Sequence, residues 1–338
     1  MKVRLLLAMI ALALSANLAQ ANTRLLVNCF WPSKHHVCSE RLPAWLADVE
    51  RVTEGRVKGN ILPKSVAPPP EQLTSIEKGL ADVAVQFNGL IQNRVQGPLV
   101  AMQPFVGAND AEAMSQALWE TNRAFFADEF DTVQLLSQFV ISPGQLYSQT
   151  DTPINSMDDL ASRKLWSLPG TLAAVTKSLG TGVVSTPAVK SNEIISRGVV
   201  DGHLGLDAQA LRAFQLMPYT KSNTQFTKPF YTTSFSMFIS KDKWAEISPE
   251  DQAAIMEISG VELAKAFGAS WDAENDSAEA AYADAGISIL QADPAFEQAL
   301  IDASGFVTEK WLEDAAAAGI DAAAALEFYR SRLAALTN

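Results

Sequence analysis

The order in which strand and helix patterns follow one another constrains this chain most. An apolar run at 24–30 precedes apolar residues at helical spacing over 42–52. The same order recurs at 56–62, 70–80 and 82–87. Strand–helix–strand repeats place their strands in a largely parallel sheet with helices on its faces. The sequence therefore predicts an α/β fold.

A second run of strand and helix patterns follows, and no Gly/Ser-rich or Pro-rich linker divides the chain. The 338 residues suffice for two domains, at about 100–200 residues each. Two α/β domains without a linker indicate strands that cross between the lobes of a hinged binding protein. We predict one lobe from residues 22–145 with 225–250, and a second lobe from residues 146–224 with 270–338.

Two long elements are expected to connect these lobes. Residues 224–239 alternate as one long strand. Ser248 at an N-cap and Pro249 at the first helical position predict the start of a helix. At about 1.5 Å per residue, about 35 residues reach about 50 Å. We therefore expect a single helix over 248–284 that braces both lobes.

The N-terminal segment indicates export. Lys2 and Arg4 precede an apolar run at 5–14, and Ala19-Gln20-Ala21 has the small residues of a cleavage site. This pattern predicts a signal peptide that is removed after Ala21. The alternative is a membrane anchor, but an anchor needs about 20 apolar residues and polar side chains interrupt this run. The mature protein is expected to be periplasmic.

Charge and motif content exclude several classes of protein. The chain has 26 Lys and Arg against 38 Asp and Glu, a net charge of −12, so it lacks the basic surface of a nucleic-acid binder. It has no nucleophile elbow, zinc-protease motif or phosphate loop. His35 and His36 are adjacent, but no acid or Cys cluster completes a metal site. We expect no enzyme, metal or cofactor; an exported hydrolase with paired carboxylates is the alternative.

The two cysteines are expected to pair. Cys29 and Cys38 lie nine positions apart, and export would place them in an oxidising compartment. A disulfide that closes so short a loop stabilises the fold by about 2–3 kcal/mol. The alternative is two independently buried thiols.

Several short motifs together resemble one family of transport proteins. They occur in the family's order and spacing at Thr53-Glu-Gly55-Arg-Val-Lys, Gly79-Leu-Ala-Asp82, Pro104-Phe105, Pro153-Ile154, Met157-Asp158-Asp159-Leu160, Gly198-Val-Val-Asp201-Gly202 and Ile247-Ser248-Pro249-Glu250-Asp251-Gln252. The chain resembles the solute-binding subunits of tripartite ATP-independent periplasmic (TRAP) transporters, of the C4-dicarboxylate-binding type. This resemblance implies a two-lobe protein that closes on one small solute and delivers it to a membrane permease. A monomer is expected, and a sensor subunit is the alternative to transport.

The positions that bind carboxylates in this family are changed here. The resemblance places Trp166 where most members have an Arg, Gln145 at a second Arg position and Gly205 at a third recognition position. An indole cannot donate two parallel hydrogen bonds to a carboxylate, as Arg can. We therefore predict a small amine, a betaine-like or a neutral polar solute. The alternative is an organic acid bound by an Arg at a shifted position.

The candidate ligand-binding residues lie near expected strand ends, where open α/β sheets bind ligands. Aromatic side chains there suit a cation or an apolar group, and a nearby acid would balance a cation's charge. The candidates are Trp166, Gln145, Phe30, Trp31, Phe87, Asn88, Phe230 and Tyr231, with Asp207 and Glu40 as the acids.

Overall fold

The computed structural model describes residues 22–337. The predicted signal peptide at 1–21 lies outside the described residues. None of the helices in the described part of the chain is both long and apolar enough to cross a membrane.

The strands within residues 22–337 form two sheets. In chain order they are β1 (Thr23–Asn28), β2 (Val57–Ile61), β3 (Val83–Phe87), β4 (Val133–Val140), β5 (Gln145–Ser148), β6 (Lys164–Ser167), β7 (Gly182–Ser185), β8 (Gly202–Leu206), β9 (Ser222–Gln225), β10 (Ser234–Ser240) and β11 (Ser288–Gln291).

The helices of the described residues cover the faces of these sheets. In chain order they are α1 (Leu42–Val52), α2 (Gln72–Glu77), α3 (Ala111–Phe125), α4 (Met157–Ala161), α5 (Thr171–Ser178), α6 (Ser191–Ile195), α7 (Ala208–Ala213), α8 (Lys241–Ala245), α9 (Pro249–Glu257), α10 (Gly260–Glu279), α11 (Pro294–Ala317) and α12 (Ala322–Thr337).

Each sheet is the centre of one lobe. The first has the order β2-β1-β3-β10-β4, with β1, β2 and β3 parallel and β10 antiparallel to both of its neighbours. The second has the order β11-β9-β5-β8-β6-β7, with β5 antiparallel to both of its neighbours and the other pairs parallel. The predicted α/β class with two lobes is confirmed.

Two extended segments cross between the lobes and run antiparallel to each other. The first joins β4 to β5, and the second joins β9 to β10. Ile141 N–H donates to the Thr233 carbonyl at 3.1 Å, and Gly144 N–H donates to the Tyr231 carbonyl at 2.9 Å. These paired segments are the structural basis of a hinge.

The second crossing corrects the prediction of one long strand over 224–239. The chain leaves the second sheet after Gln225 and enters the first sheet at Ser234. Pro229 lies between them, and proline has no N–H to continue a ladder of hydrogen bonds. Buried apolar residues continue through the crossing, at Phe226, Phe230 and Tyr231, so the alternating pattern could not indicate the change of sheet.

The single helix predicted over 248–284 is also two helices. Ser248 caps the first, α9, by accepting from the Asp251 N–H at 3.2 Å, as predicted. The helix ends at Glu257, and α10 starts at Gly260, whose φ of 55° suits glycine. A side-chain Cβ at this position would lie 3.2 Å from the ring of Trp119.

The shorter helix α10 nevertheless contacts both lobes. It packs against α3 and β4 in the first lobe and against α7 in the second. The Asp272 carboxylate accepts from the Ala111 and Glu112 N–H groups, at 2.9 and 3.1 Å, at the start of α3. The indole N–H of its neighbour Trp271 donates to Asp207 at the start of α7, at 2.8 Å. Adjacent residues of one helix are thus fixed to different lobes.

The C-terminal helices do not all belong to the second lobe, as residues 270–338 were predicted to. Helix α11 packs on α5 of the second lobe, but α12 packs on α3 of the first. Arg332 of α12 forms an ion pair with Glu120 of α3. The Ala-rich sequence predicted helices correctly but did not indicate the surface on which each one packs.

Candidate ligand-binding site

A disulfide-closed loop carries the first half of the site. The predicted Cys29–Cys38 disulfide is present. It closes the loop that follows β1, and this loop holds Phe30, Trp31 and His35. The side chains of Trp31 and His35 are buried. Because the loop starts at the carboxyl end of a parallel strand, it faces the cleft between the lobes.

A small cavity, here called the inner cavity, lies between the lobes. Its volume is about 60 Å³, measured for the centre of a water-sized sphere. Most of the side chains that line it are apolar. From the first lobe they are Phe30, Trp31, His35, Pro69, Phe87, Leu90, Ile141, Thr233 and Phe235; from the second lobe and α10 they are Leu168, Pro187, Ala188, Val189, Gly205, Leu206, Asp207, Gln209, Ala210, Phe214 and Trp271.

Aromatic rings form the first lobe's wall of the inner cavity. Trp31 stacks on Phe30 with ring centroids 3.9 Å apart, and it lies 5.4 Å from Phe235 and 6.1 Å from Trp271. Phe87 is 5.6 Å from Phe235 on the same wall. Stacked and tilted rings at these distances attract each other, so the rings of this wall stabilise one another's positions.

The second lobe's wall comes from the carboxyl ends of three strands. Leu168 follows β6, Pro187 follows β7, and Asp207 follows β8. These three strands are parallel, so their ends meet at one edge of the sheet. The cavity therefore lies where an α/β sheet normally binds ligands, in both lobes at once.

A polar contact between the lobes closes one end of the inner cavity. The side-chain amide of Gln209, on α7, lies 3.2 Å from Nε2 of His35. Nδ1 of His35 accepts from the backbone N–H of Val37 at 3.3 Å. Burial, and then the neighbouring His36, hold the pKa of His35 well below its usual value. The ring is therefore neutral at neutral pH.

Asp207 is buried and both of its oxygens are occupied. Oδ1 accepts from the Ala210 N–H at 2.7 Å, which makes Asp207 the N-cap of α7. Oδ2 accepts from the indole N–H of Trp271 at 2.8 Å. Burial raises the pKa of Asp207 to about 7, although the two hydrogen bonds act in the opposite direction. This geometry is that of a structural cap rather than of a free counter-ion for a cation.

A second, more polar space adjoins the inner cavity and is here called the outer chamber. Its volume is about 470 Å³, and it shares His35 and Gln209 with the inner cavity. Its charged side chains include Lys34, Glu40, Arg212 and Glu274. In contrast, no lysine or arginine of residues 22–337 lines the inner cavity.

Five of the ten predicted ligand-binding residues lie at these two spaces. Phe30, Trp31, Phe87 and Asp207 line the inner cavity, and Glu40 lines the outer chamber. The three aromatic residues follow or end β1 and β3, so a reading of strand ends was sufficient to find them.

The other five predicted residues lie elsewhere. Trp166 is fully buried in the second lobe, and its indole N–H donates to Thr186 Oγ1 at 2.8 Å. Asn88 Nδ2 donates to Ser234 Oγ at 3.1 Å inside the first lobe. The five predicted residues that line neither the inner cavity nor the outer chamber are Trp166, Asn88, Gln145, Phe230 and Tyr231.

The structure adds site residues that the sequence did not single out. His35 was considered only as part of a metal pair, and the described residues contain no group of three or more side chains suited to a metal ion. Gln209 and Phe235 lie within regular elements whose patterns predict only packing. Trp271 lies in the middle of α10, which is far from any strand end along the sequence.

The profile of one protein family matches most of the chain. Residues 28–314 match the family described as bacterial extracellular solute-binding protein, family 7. The chain belongs to this family of TRAP solute-binding proteins. The resemblance predicted from the sequence is therefore confirmed, and the family's role is that of a substrate-binding component of transport.

Individual relatives cover nearly the whole chain. A Comamonas testosteroni protein named outer membrane transporter protein TsaT is 35% identical over 330 residues, which is 97% of this chain and 96% of that protein. A TRAP periplasmic solute-binding protein of Bordetella bronchiseptica, solved with bound (R)- and (S)-mandelate, is 30% identical with a TM-score of 0.87, over 93% of this chain and 99% of that chain.

A more distant structure shares the fold. A TRAP solute-binding protein from Rhodoferax ferrireducens T118, solved with copurified benzoate, has a TM-score of 0.84 at 22% identity. The match covers 93% of this chain and 98% of that chain.

Proposed function

We propose that this protein is the periplasmic subunit of a TRAP transporter that captures a small aromatic organic acid and delivers it to the membrane permease. The observation that carries the proposal is the inner cavity, which has an aromatic wall from the first lobe, a mostly apolar wall from the second and one polar end. Small-molecule sites typically combine an apolar lining with a few placed polar groups in this way.

The size of the inner cavity favours a solute with a single ring. An engineered protein cavity of about 150 Å³ holds one benzene molecule. The inner cavity, at about 60 Å³, is smaller, so some of the side chains that line it must move outward to admit even one ring. A solute with two fused rings would need a far larger opening.

The proposed solute is an acid, whereas the sequence predicted an amine, a betaine-like or a neutral polar solute. That preference relied on Trp166 as a cation-binding surface and on Asp207 as its partner. Trp166 does not line the inner cavity, and both oxygens of Asp207 already accept hydrogen bonds. The Bordetella bronchiseptica relative, at 30% identity, was solved with mandelate, an aromatic hydroxy acid. Together these observations support an aromatic acid over an amine.

The cellular setting completes the proposal. The predicted signal peptide, cleaved after Ala21, would export the chain, and the Cys29–Cys38 disulfide suits an oxidising compartment. We propose that the protein acts there as a monomer and docks on the TRAP permease subunits after its lobes close.

Calorimetric titration tests the proposed solute class. The mature protein is titrated with mandelate, benzylamine and succinate, which represent an aromatic acid, an aromatic amine and a dicarboxylate. We expect mandelate to bind most tightly; at 100 times its Kd it should stabilise the fold by about 2.7 kcal/mol in a thermal-shift assay. Tighter binding of benzylamine or succinate, or no binding of mandelate at millimolar concentration, would contradict the proposed function.

A further inference from the structure

The polar end of the inner cavity contains the groups that are available to bind the acid. A buried carboxylate needs hydrogen-bond donors, because an unpaired charge is costly to remove from water. Across the described residues, neither lysine nor arginine contributes to the lining of the inner cavity. His35 and Gln209 are the polar side chains that line both this cavity and the outer chamber.

The hydrogen bonds of His35 determine which of its nitrogens can donate. The backbone N–H of Val37 can only donate, so Nδ1 of His35 must accept. The neutral ring therefore carries its proton on Nε2, which points across the cleft to Gln209 at 3.2 Å. His35 thus offers one N–H donor at the boundary between the two spaces.

Gln209 supplies a second donor from the opposite lobe. An amide can present its oxygen or its NH₂ group after a half-turn about its last bond. If the oxygen accepts from Nε2 of His35, the NH₂ group is left for another partner. The side chain belongs to α7, while His35 belongs to the disulfide-closed loop. One donor therefore comes from each lobe.

His36 stands behind this pair and has an unused nitrogen. Its side chain is buried, and its Nδ1 lies 2.9 Å from Ser270 Oγ. Its Nε2 is buried without a hydrogen-bond partner, and the side chain lines the outer chamber. A buried polar atom without a partner in a native site commonly marks a bound ligand or water. Burial, and then nearby Arg41 and Arg212, lower the pKa of His36 to about 4.

We propose that His35 and Gln209, with His36 behind them, form the acid-binding end of the ligand site. The ring of the solute lies in the inner cavity, and its acidic group accepts hydrogen bonds from His35 Nε2 and the Gln209 amide. The acid then replaces the direct contact between these two side chains and links the lobes. Neutral donors from both lobes take the place of the Arg that the family resemblance expected at position 166.

This assignment rests on the proposed function, so its test compares an acid with its neutral amide. Mandelate and mandelamide have the same ring and hydroxyl group and differ in the charge of one end. Gln209→Glu keeps the shape of the side chain and places a carboxylate opposite the acid. We expect its Kd for mandelate to rise at least tenfold, while its Kd for mandelamide changes less than threefold.

A second variant and a control separate recognition from folding. His35→Phe keeps a ring but removes the donor, and it should also raise the Kd for mandelate about tenfold more than that for mandelamide. Gln298→Glu is the matched control, because it places the same charge on an exposed residue of α11 that lines neither the inner cavity nor the outer chamber. The control should alter both Kd values less than threefold. The ratio of the two Kd values is measured within one folded variant, so a general loss of stability does not change it.

The outcomes distinguish the two proposals. If wild type binds mandelate but the ratio of the two Kd values is unchanged in both Gln209→Glu and His35→Phe, the assignment of the acid-binding end is overturned while the proposed function stands. If wild type does not bind mandelate at millimolar concentration, the proposed function is overturned, and this assignment with it.

Discussion

Asp207 illustrates how the role of a single residue depends on its hydrogen bonds. It stands beside the ligand site, yet it caps α7 and accepts from Trp271 of α10. Burial raises its pKa to about 7 from an ordinary value of 3.8. The folded protein therefore binds this proton more tightly than the unfolded chain, so the ionised form costs stability above pH 7 and the cost disappears as the pH falls below about 4.

Three buried histidines change the stability of the fold in the opposite direction to Asp207 over the same pH range. This opposition provides a test. Burial lowers the pKa values of His35, His36 and His203, with His36 at about 4 and His203 at about 3. Below pH 6.5 the unfolded chain takes up these protons first, so acidification destabilises the fold. Asp207→Asn removes the compensating effect of Asp207.

We expect the free energy of unfolding of Asp207→Asn to fall more steeply than that of wild type between pH 7.5 and pH 5. Urea unfolding at both pH values measures these slopes. The lost hydrogen bond from Trp271 lowers stability at every pH alike, so it does not affect the comparison. Parallel slopes for the two proteins would contradict the raised pKa of Asp207.

Trp166 provides a second test at the level of one residue. It is fully buried, and its indole N–H is bonded to Thr186, outside the inner cavity. Trp166→Phe should destabilise the fold by about 1–3 kcal/mol, because the half-buried Thr186 loses its partner and the smaller ring leaves a gap in the core. The Kd for mandelate should change less than threefold. Trp31→Phe is the positive control, and it should weaken mandelate binding. Loss of mandelate binding in Trp166→Phe without a loss of stability would contradict the position of Trp166 outside the ligand site.

Individual site residues were predictable only where a local signal exists. Phe30, Trp31 and Phe87 were found because the ends of β1 and β3 can be read from the sequence. Trp166 matched a family position, but such a match does not show which face of a strand its side chain occupies. Trp271 was missed because nothing distinguishes a ligand-facing ring within a long helix from a core ring.

At the scale of elements, the disulfide-closed loop couples stability to binding. Cys29 and Cys38 close the loop that carries Trp31 and His35 to the cleft. The double variant Cys29→Ser, Cys38→Ser should lose about 2–3 kcal/mol of stability because the unfolded chain gains freedom. It should also bind mandelate several-fold more weakly, since the loop is less well fixed.

Urea unfolding and calorimetry with and without a reductant measure both effects. The reductant should lower both the stability and the mandelate affinity of wild type, and it should change neither in the double variant. An oxidised wild type that matches the double variant in both measurements would show that the disulfide does not support the site.

The order of the strands and helices was easier to predict from the sequence than the points at which they end. The strand and helix patterns gave β1 to β3 and the capped start of α9 correctly. They could not show that the chain changes sheets between β9 and β10, since buried apolar residues such as Phe226 and Phe230 continue through the crossing. They also could not show the break before Gly260. The backbone of this glycine lies close to the ring of Trp119, and a contact between residues so far apart in the sequence cannot be read from a local pattern.

At the scale of the whole molecule, the central claim is that the lobes close on an aromatic acid. The backbone of Gly170, in the second lobe, closely approaches the first lobe. A Cβ there would lie 2.9 Å from the carbonyl oxygen of Gly89 and 3.2 Å from Gln92 Oε1. Gly180 has a similar positive φ, 78° against 86°, but nothing lies within 4 Å of a Cβ at that position. Alanine strains the backbone at either site, and only Gly170→Ala also obstructs closure.

The most direct test of this claim is the radius of gyration measured by small-angle X-ray scattering, with and without saturating mandelate, in wild type, Gly170→Ala and Gly180→Ala. Calorimetry on the same samples confirms that mandelate is bound. We expect mandelate to compact wild type and Gly180→Ala, and to compact Gly170→Ala less, with a Kd at least tenfold higher. A radius that stays unchanged in wild type with mandelate bound, or equal compaction and equal Kd in all three proteins, would contradict closure of the lobes on the solute.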